Sequence, residues 1–438
     1  MDNKLRFKAC LFCLHKALAT VRLALPLIAV WSLAHAVYAD PGSLEVAFDT
    51  EYTDNARKSA SGEVDDFKNT ASLTINKTDR FGRLDSSIVG DIEYYSYAND
   101  TYSNNLDSNL LWDGRYHIRP GTLTWGISDE LSEVTIDSSQ PDTPDNRTTR
   151  NIFTTGPSYT MQFNKVDSAN LTAEYQRIDY KTEGDDNDRF RILPSFTHLL
   201  SDHQQVSLNY EWTKTLFGSE RELYRNELSL SYRYSYLNYY FDGSYGKTHL
   251  KGRAGSTTEE TDSNTWNATL STDLTRTSSL AITYNRELND SASGFDQRFE
   301  DAVISINNTT VILLTEWSLT YDKAFSNRSS LNARIYHNIS EYLIDKSEEE
   351  RNGVEAGYNY PLMPRLTVNV NAEYQQLDYT PSARSDDLYE ISIGTDYEYI
   401  RNLFFTAELA HTLQESNSLI NEYAENRVML GVRYIPTF

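Results

Sequence analysis

The 438-residue chain carries 40 basic and 63 acidic side chains, a formal net charge of −23, with 39% hydrophobic residues, 31 tyrosines and 2 cysteines. That is enough apolar material for a core, which excludes disorder as the state of the whole chain, and the acidity argues against nucleic acid, whose phosphates would be repelled. It also excludes attachment to a membrane surface through a polybasic patch, whereas a mean hydropathy of −0.57 excludes helical spans but not barrel strands, which are apolar only at alternate positions.

Lys4, Arg6, Lys8, Lys16 and Arg22 precede and flank an apolar stretch from Leu23 to Ala34, followed by the small residues Val37 and Ala39. This is the pattern of a secretory signal peptide covering residues 1–39 and cut before Asp40. The apolar stretch is shorter than the roughly 20 residues a membrane helix needs. Cys10 and Cys13 both lie inside the 1–39 signal segment, so the exported residues 40–438 bring no disulfide framework, thiol nucleophile or thiolate metal site. Removing five basic residues and one acid leaves 35 basic against 62 acidic side chains.

From there the chain alternates. Leu44, Val46, Phe48 and Tyr52 interleave with Glu45, Asp49 and Glu51; Val206, Leu208, Tyr210 and Trp212 with Ser207, Asn209 and Glu211. Leu228, Leu230, Tyr232, Tyr234 and Tyr236 interleave with Glu227, Ser229, Ser231, Arg233 and Ser235, and Tyr389, Ile391, Ile393, Tyr397 and Tyr399 with Glu390, Ser392, Asp396 and Glu398. A period of two gives each strand one apolar and one polar face. Short connections at 79–83, 119–121, 166–169, 201–203, 238, 275–278, 326–329, 362–365 and 401–402 alternate with longer polar segments at 138–149, 183–188, 252–262, 290–297 and 345–353. This spacing predicts an all-β, transmembrane, antiparallel up-and-down β-barrel of about 18–20 strands, with short periplasmic turns and longer extracellular loops. Residues 290–315 are too long for one unit and read as an insertion. A soluble sandwich of this length would divide at a Pro/Gly-rich linker, and a β-helix would show short rung repeats; neither feature is present.

At the end of the chain Val428, Leu430, Val432, Tyr434 and Phe438 alternate with Arg427, Met429, Gly431, Arg433 and Thr437. An apolar last strand ending in Phe resembles the signature read by the barrel-assembly machinery, which makes Val432, Tyr434 and Phe438 the expected assembly signal. Pro436 departs from that pattern and weakens pairing at the last residues.

Residues 40–438 thus resemble a Gram-negative outer-membrane β-barrel. More narrowly, the Tyr-rich units, Trp125 and Asp129 followed by Asn146, Arg150 and Gly156-Pro157, and the ending Asn426-Arg427-Val428 through Gly431-Val432-Arg433-Tyr434 are similar to the β-barrel porin family found with exopolysaccharide systems. The resemblance implies a conduit in the bacterial outer membrane for exopolysaccharide secretion. Its expected partners are outer-membrane lipid and lipopolysaccharide, the barrel-assembly machinery and periplasmic polysaccharide-export components, with no nucleic acid and no cofactor. The alternatives are a general diffusion porin for small solutes and a structural or adhesive surface barrel.

Catalysis finds no support in motifs: Gly-X-Ser-X-Gly, His-Glu-X-X-His and a phosphate loop are all missing, and His198 and His203 flank Ser201 at a short turn, which reads as solvated. Asp185, Asp186 and Asp188, and Glu348 to Glu350, offer hard oxygen ligands without calcium-loop spacing and read as loop charge. Trp112, Tyr116, Trp212, Tyr232, Tyr234, Tyr236, Tyr239 and Tyr245 are of the type that stacks on sugar rings, but most fall on the apolar face near strand ends and read as interfacial girdles. With the apolar set outward, Glu45, Asp49, Glu51, Glu174, Glu211, Glu227, Asp242, Asp273, Glu373, Glu390, Asp396 and Glu398 face inward, partly offset by Arg115, Arg233, Arg334, Arg427 and Arg433. Acidic linings favour cations. A barrel of this size is too wide for side chains alone to fill and should hold water, a plug or a translocating chain; no separate plug domain is recognisable, so a pore is expected, open or gated.

Overall fold

The computed structural model describes residues 42–254, 257–290, 305–306, 311–344 and 346–436. The expected signal peptide, Phe438 and most of the 290–315 insertion therefore lie outside the described residues. Twenty strands succeed one another: β1 (Ser43–Thr53), β2 (Asp66–Phe81), β3 (Leu84–Tyr97), β4 (Asn105–Arg119), β5 (Leu123–Thr135), β6 (Arg147–Gln162), β7 (Asp167–Tyr180), β8 (Asn187–Ser201), β9 (Gln204–Phe217) and β10 (Arg221–Tyr236). They continue as β11 (Tyr239–Ala254), β12 (Thr257–Thr275), β13 (Ser278–Asp290), β14 (Val311–Ala324), β15 (Ser330–Tyr342), β16 (Ser347–Met363), β17 (Leu366–Thr380), β18 (Arg384–Ile400), β19 (Leu403–Ser416) and β20 (Tyr423–Tyr434). Each pairs antiparallel with its neighbours in sequence, and β1 closes on β20 from Val46↔Tyr434 to Thr53↔Arg427. The result is a closed up-and-down barrel at the upper end of the expected strand number. Among the described residues no helix is long and apolar enough to cross a membrane, a statement that bears on helices alone.

Alternation sets the facing. On β10, Leu228 and Leu230 are each 54% exposed while Arg225 on the other face is 5% exposed. The same exposed apolar column recurs at Leu208, Ile391, Ile393 and Leu430. Such a belt would drive aggregation in water and is the surface an outer-membrane barrel turns to lipid. Aromatic contacts rim it near the tight turns, where His203 lies 4.8 Å from Tyr236 and Tyr399 5.7 Å from Phe405.

At one end the connections are tight, such as 82–83, 237–238 and 401–402. Gly82 and Gly121 turn there with φ of +61° and +71°, in the left-handed region that a residue without a Cβ enters freely. The other end carries the longer segments 54–65, 98–104 and 136–146. Two polar segments expected as loops belong instead to strands: β11 runs on to Ala254, β12 begins at Thr257, and β16 begins at Ser347. Glu348, Glu349 and Glu350 are thus ladder residues paired with β15, not loop charge. The ladder needs only backbone groups, so a strand that stands clear of lipid is free to be polar on both faces.

One break in the ladder shapes the interior. Pairing between β12 and β13 stops at Trp266↔Arg286. Beyond it β12 continues to Thr257 against β11, while β13 continues to Asp290 against β14. The freed end of β13 turns into the barrel: Arg225 Nε on β10 donates to the Leu288 carbonyl at 3.0 Å, and Arg189 on β8, five strands away, meets Asp290 at 2.5 Å. Leu288, Val311 and Leu313 pack there against Phe217, Leu223 and Leu250 in a buried apolar cluster.

Candidate functional site

The inner wall is built from the polar half of each strand. Side chains two strands apart meet across it, as only the concave face of a barrel allows. Around the β20–β1 closure Arg433 bridges Asp396 on β18 at 3.0 Å and Glu45 on β1 at 3.7 Å, with its guanidinium 4.9 Å from the centre of the Phe404 ring. Three positions earlier in the inward series along β20, Arg427 bridges Glu390 at 3.0 Å and Glu51 at 4.0 Å. Asp49 lies opposite Gly431, where a Cβ would stand 1.8 Å from its carboxylate, so only glycine leaves that side chain its place. Glu355, Glu373 and Glu390 lie directly opposite one another on β16, β17 and β18. Like charges so placed repel, an effect offset at Glu390 by Arg427, while Arg334 on β15 lies opposite Glu355. Glu398 shares this face at the tight-turn end of β18.

Across the barrel the wall is charge-balanced. Arg191 pairs with Glu174 at 3.0 Å and Glu211 at 3.5 Å, and Arg225 with Glu211 at 2.9 Å and with Glu227. Thr213 and Thr248 donate their hydroxyls to Glu211 and Glu227. Arg233 pairs with Asp242 at 2.6 Å nearer the tight turns. The acids expected on one face therefore fall into two groups: a sector through β16–β20 and β1 in which acids outnumber arginines, and a β7–β11 sector in which nearly every acid touches an arginine.

The wide end is not an open mouth. The 136–146 segment is folded on itself by Asn146, whose side chain donates to the Asp137 carbonyl at 2.8 Å and accepts from the Asp137 N–H at 3.0 Å. It reaches the far side of the ring: Ser138 Oγ donates to Glu349 on β16 at 2.7 Å, Tyr379 on β17 donates to the Ser138 carbonyl at 3.3 Å, and Arg384 on β18 donates to the Ser139 carbonyl at 2.6 Å. Ser305 and Ile306, from the connection between β13 and β14, bond the same segment at Ser138 and Ile136. Arg147 grips Asp142 with two donors at 2.6 and 2.5 Å. Withdrawal from bulk water raises the Asp142 pKa, but that two-pronged hydrogen bond and the arginine's charge outweigh it and hold the carboxyl below its ordinary value. Among the described residues an inward hairpin end and a crossing loop thus stand in the mouth, a feature the alternation pattern does not announce.

With that geometry in place, sequence comparison is informative over the last five strands. Residues 350–435 match the family model described as "Putative beta-barrel porin 2". That span holds the acidic row and both bridging arginines of the closure. No curated protein matches the chain. Similar solved structures include the FrpB iron transporter from Neisseria meningitidis (F5-1 variant, apoprotein form), at 9% identity and a TM-score of 0.48, covering 91% of this chain and 82% of that one. Others are Pseudomonas aeruginosa OpdO, at 12% identity and 0.44, covering 92% and 100%, and P. aeruginosa OccK2 (OpdF) in complex with glucuronate, at 10% and 0.45, covering 90% and 98%. The chain is a closed all-β barrel whose last five strands are similar to that β-barrel porin family.

Of the remaining expected residues, Val432 and Tyr434 lie on the outward face of β20, and Phe438 is outside the described residues. His198 hydrogen-bonds Asp167 at 2.6 Å, and Ser201 Oγ accepts from the His203 N–H across the turn. Asp186 accepts from the Tyr180 N–H and Asp185 from Ser219, so these two acids brace loops. Sequence reasoning missed the mouth. Its one signal was Val311-Ile312-Leu313-Leu314, apolar on both faces where every lipid-facing strand alternates, as in a strand buried on both sides.

Proposed function

We propose that the barrel is an outer-membrane conduit whose wide end is held closed by its own loop and hairpin, and that its physiological traffic is exopolysaccharide leaving the cell. The observation that supports the conduit reading is the inner wall: a concave face lined by charged and polar side chains, with opposed glutamates around β16–β18, suits a solvated path rather than a packed core. On this reading Glu45, Asp49, Glu51, Glu373, Glu390, Asp396 and Glu398 line the acidic side of the path, Glu211, Glu227 and Arg233 the balanced side, and Arg433 the seam. The polysaccharide assignment is supported by the resemblance carried by Asn146, Arg150, Gly156-Pro157 and the β20 ending, with periplasmic export components as the expected partners.

The occupied mouth favours regulated traffic over the second reading, a general diffusion porin, which needs a standing opening. Deletion of the gene distinguishes them. Loss of secreted polysaccharide with unchanged uptake of small hydrophilic solutes is expected. Unchanged polysaccharide with slowed solute uptake would replace the export reading by the diffusion reading.

A further inference from the structure

We propose that the charge-balanced wall beneath the turned-in end of β13 is a binding subsite for one uncharged, polyhydroxylated unit, a saccharide ring or a cyclitol. The proposal deepens the conduit reading and rests on it for its physiological meaning. A cavity of about 320 Å³ lies there against the inner wall between β7 and β13.

The chemistry of its wall selects against ions of either sign. Arg225, 5% exposed, stands between Glu211 and Glu227, and Arg191 between Glu174 and Glu211, so each of these charges already has a partner at contact distance; Arg189 is held by Asp290 at 2.5 Å, and Arg286, also in the wall, donates to Thr315 at 3.2 Å. An anion would have to displace a glutamate from an arginine, and a cation would have to displace an arginine from a glutamate. Hydroxyl groups require neither, because they add to carboxylate lone pairs and guanidinium N–H groups left over by the pairing.

A second, independent feature points the same way. Thr265 on β12 is 6% exposed and lines the cavity, yet its hydroxyl has no hydrogen-bond partner among the described residues. Next to it on the same face, the Asn267 amide joins Asn285 at 2.5 Å, which leaves amide donor and acceptor capacity toward the cavity. A buried hydroxyl without a partner is rare in native proteins and is relieved by a ligand that both donates and accepts. Fixed donors and acceptors interleaved over one cavity, with its central arginines and glutamates already joined to one another, match the vicinal hydroxyls of a sugar ring.

The test is calorimetry on the full-length barrel purified in detergent, titrated with glucose and maltotriose, and with gluconate and glucosamine as anionic and cationic counterparts. Saturable binding of the neutral sugars is expected, at least tenfold tighter than of either charged one. Thr265→Val and Asn267→Ala are each expected to weaken it several-fold while keeping the heat-modifiable mobility of the folded barrel. Glu211→Gln frees arginine charge and is expected to shift preference toward gluconate. No saturable binding of glucose or maltotriose, tighter binding of a charged probe, or unchanged affinity in folded Thr265→Val overturns the proposal. Because binding is read without transport, a barrel that binds sugar but never conducts refutes the conduit reading alone, and one that conducts but does not bind refutes the subsite alone.

Discussion

Leu230→Arg and Ser231→Arg place the same charge one residue apart on β10, and the barrel fold assigns them opposite solvents. Leu230 is 54% exposed and sits between Leu208 and Tyr245 on the neighbouring strands. Ser231 lies on the inner face between Ser207 and Ser244 and accepts a hydrogen bond from Asn209 at 2.8 Å. From Glu227 to Tyr236 every outward position is apolar. Such a ten-residue run, at ~3.4 Å per residue and a tilt of ~45°, crosses about 24 Å, the height of the apolar band, with Leu230 near its middle. Arginine at the midplane costs roughly 2–4 kcal/mol, or about 30- to several-hundred-fold in the ratio of folded to unfolded protein. A solvated inner position costs about 0.5 kcal/mol or less. Urea titration of refolding into lipid vesicles, followed by heat-modifiable mobility, measures both. Equal losses in the two variants would refute the facing assignment and with it the inner-wall description.

Four further outcomes follow from particular contacts. Asp290→Ala leaves Arg189 buried without its close carboxylate; breaking a buried pair costs about 3–5 kcal/mol, so the β13 end is expected to release and single-channel conductance to rise, whereas unchanged conductance would deny it a closing role. The Asp142 carboxyl is held below its ordinary value, so its contribution to the crossing loop is present above the unfolded carboxylate pKa of about 3.9 and is lost as pH falls through the lower folded value. Conductance is expected to rise on acidification in that range, and Asp142→Asn is expected to abolish the step; a step that survives the substitution belongs to other groups. Deleting Phe438 or changing Tyr434→Asp is expected to strand the chain in the periplasm, and a normal yield of membrane-inserted protein would remove these residues from the assembly signal. Glu355→Gln with Glu373→Gln is expected to lower cation preference without loss of folding, read from reversal potentials.

Period-two alternation made the strands legible because lipid on one side and water on the other impose opposite chemistry on consecutive residues. Parity likewise placed Glu390, Asp396 and Glu398 on one face together. What alternation does not encode is who meets whom across the lumen. Ser138 and Glu349 are 211 residues apart, and nothing local to either announces the contact. Loop boundaries slipped for a related reason: Glu348 to Glu350 are polar on both faces, yet the ladder with β15 holds them as strand. The turned-in hairpin was legible in part, because Val311 to Leu314 carry apolar side chains on both faces and so match no lipid-facing strand.

The central claim is that this barrel encloses a water-filled path with an acidic side, closed at the wide end by its own chain. Reversal potentials of the purified protein across planar bilayers in a KCl gradient test it most directly, with wild type and Asp290→Ala compared in the same bilayers. Low but cation-selective conductance in wild type, increased in Asp290→Ala with selectivity kept, is the expected result. Anion preference, or no conductance in either protein, would contradict it.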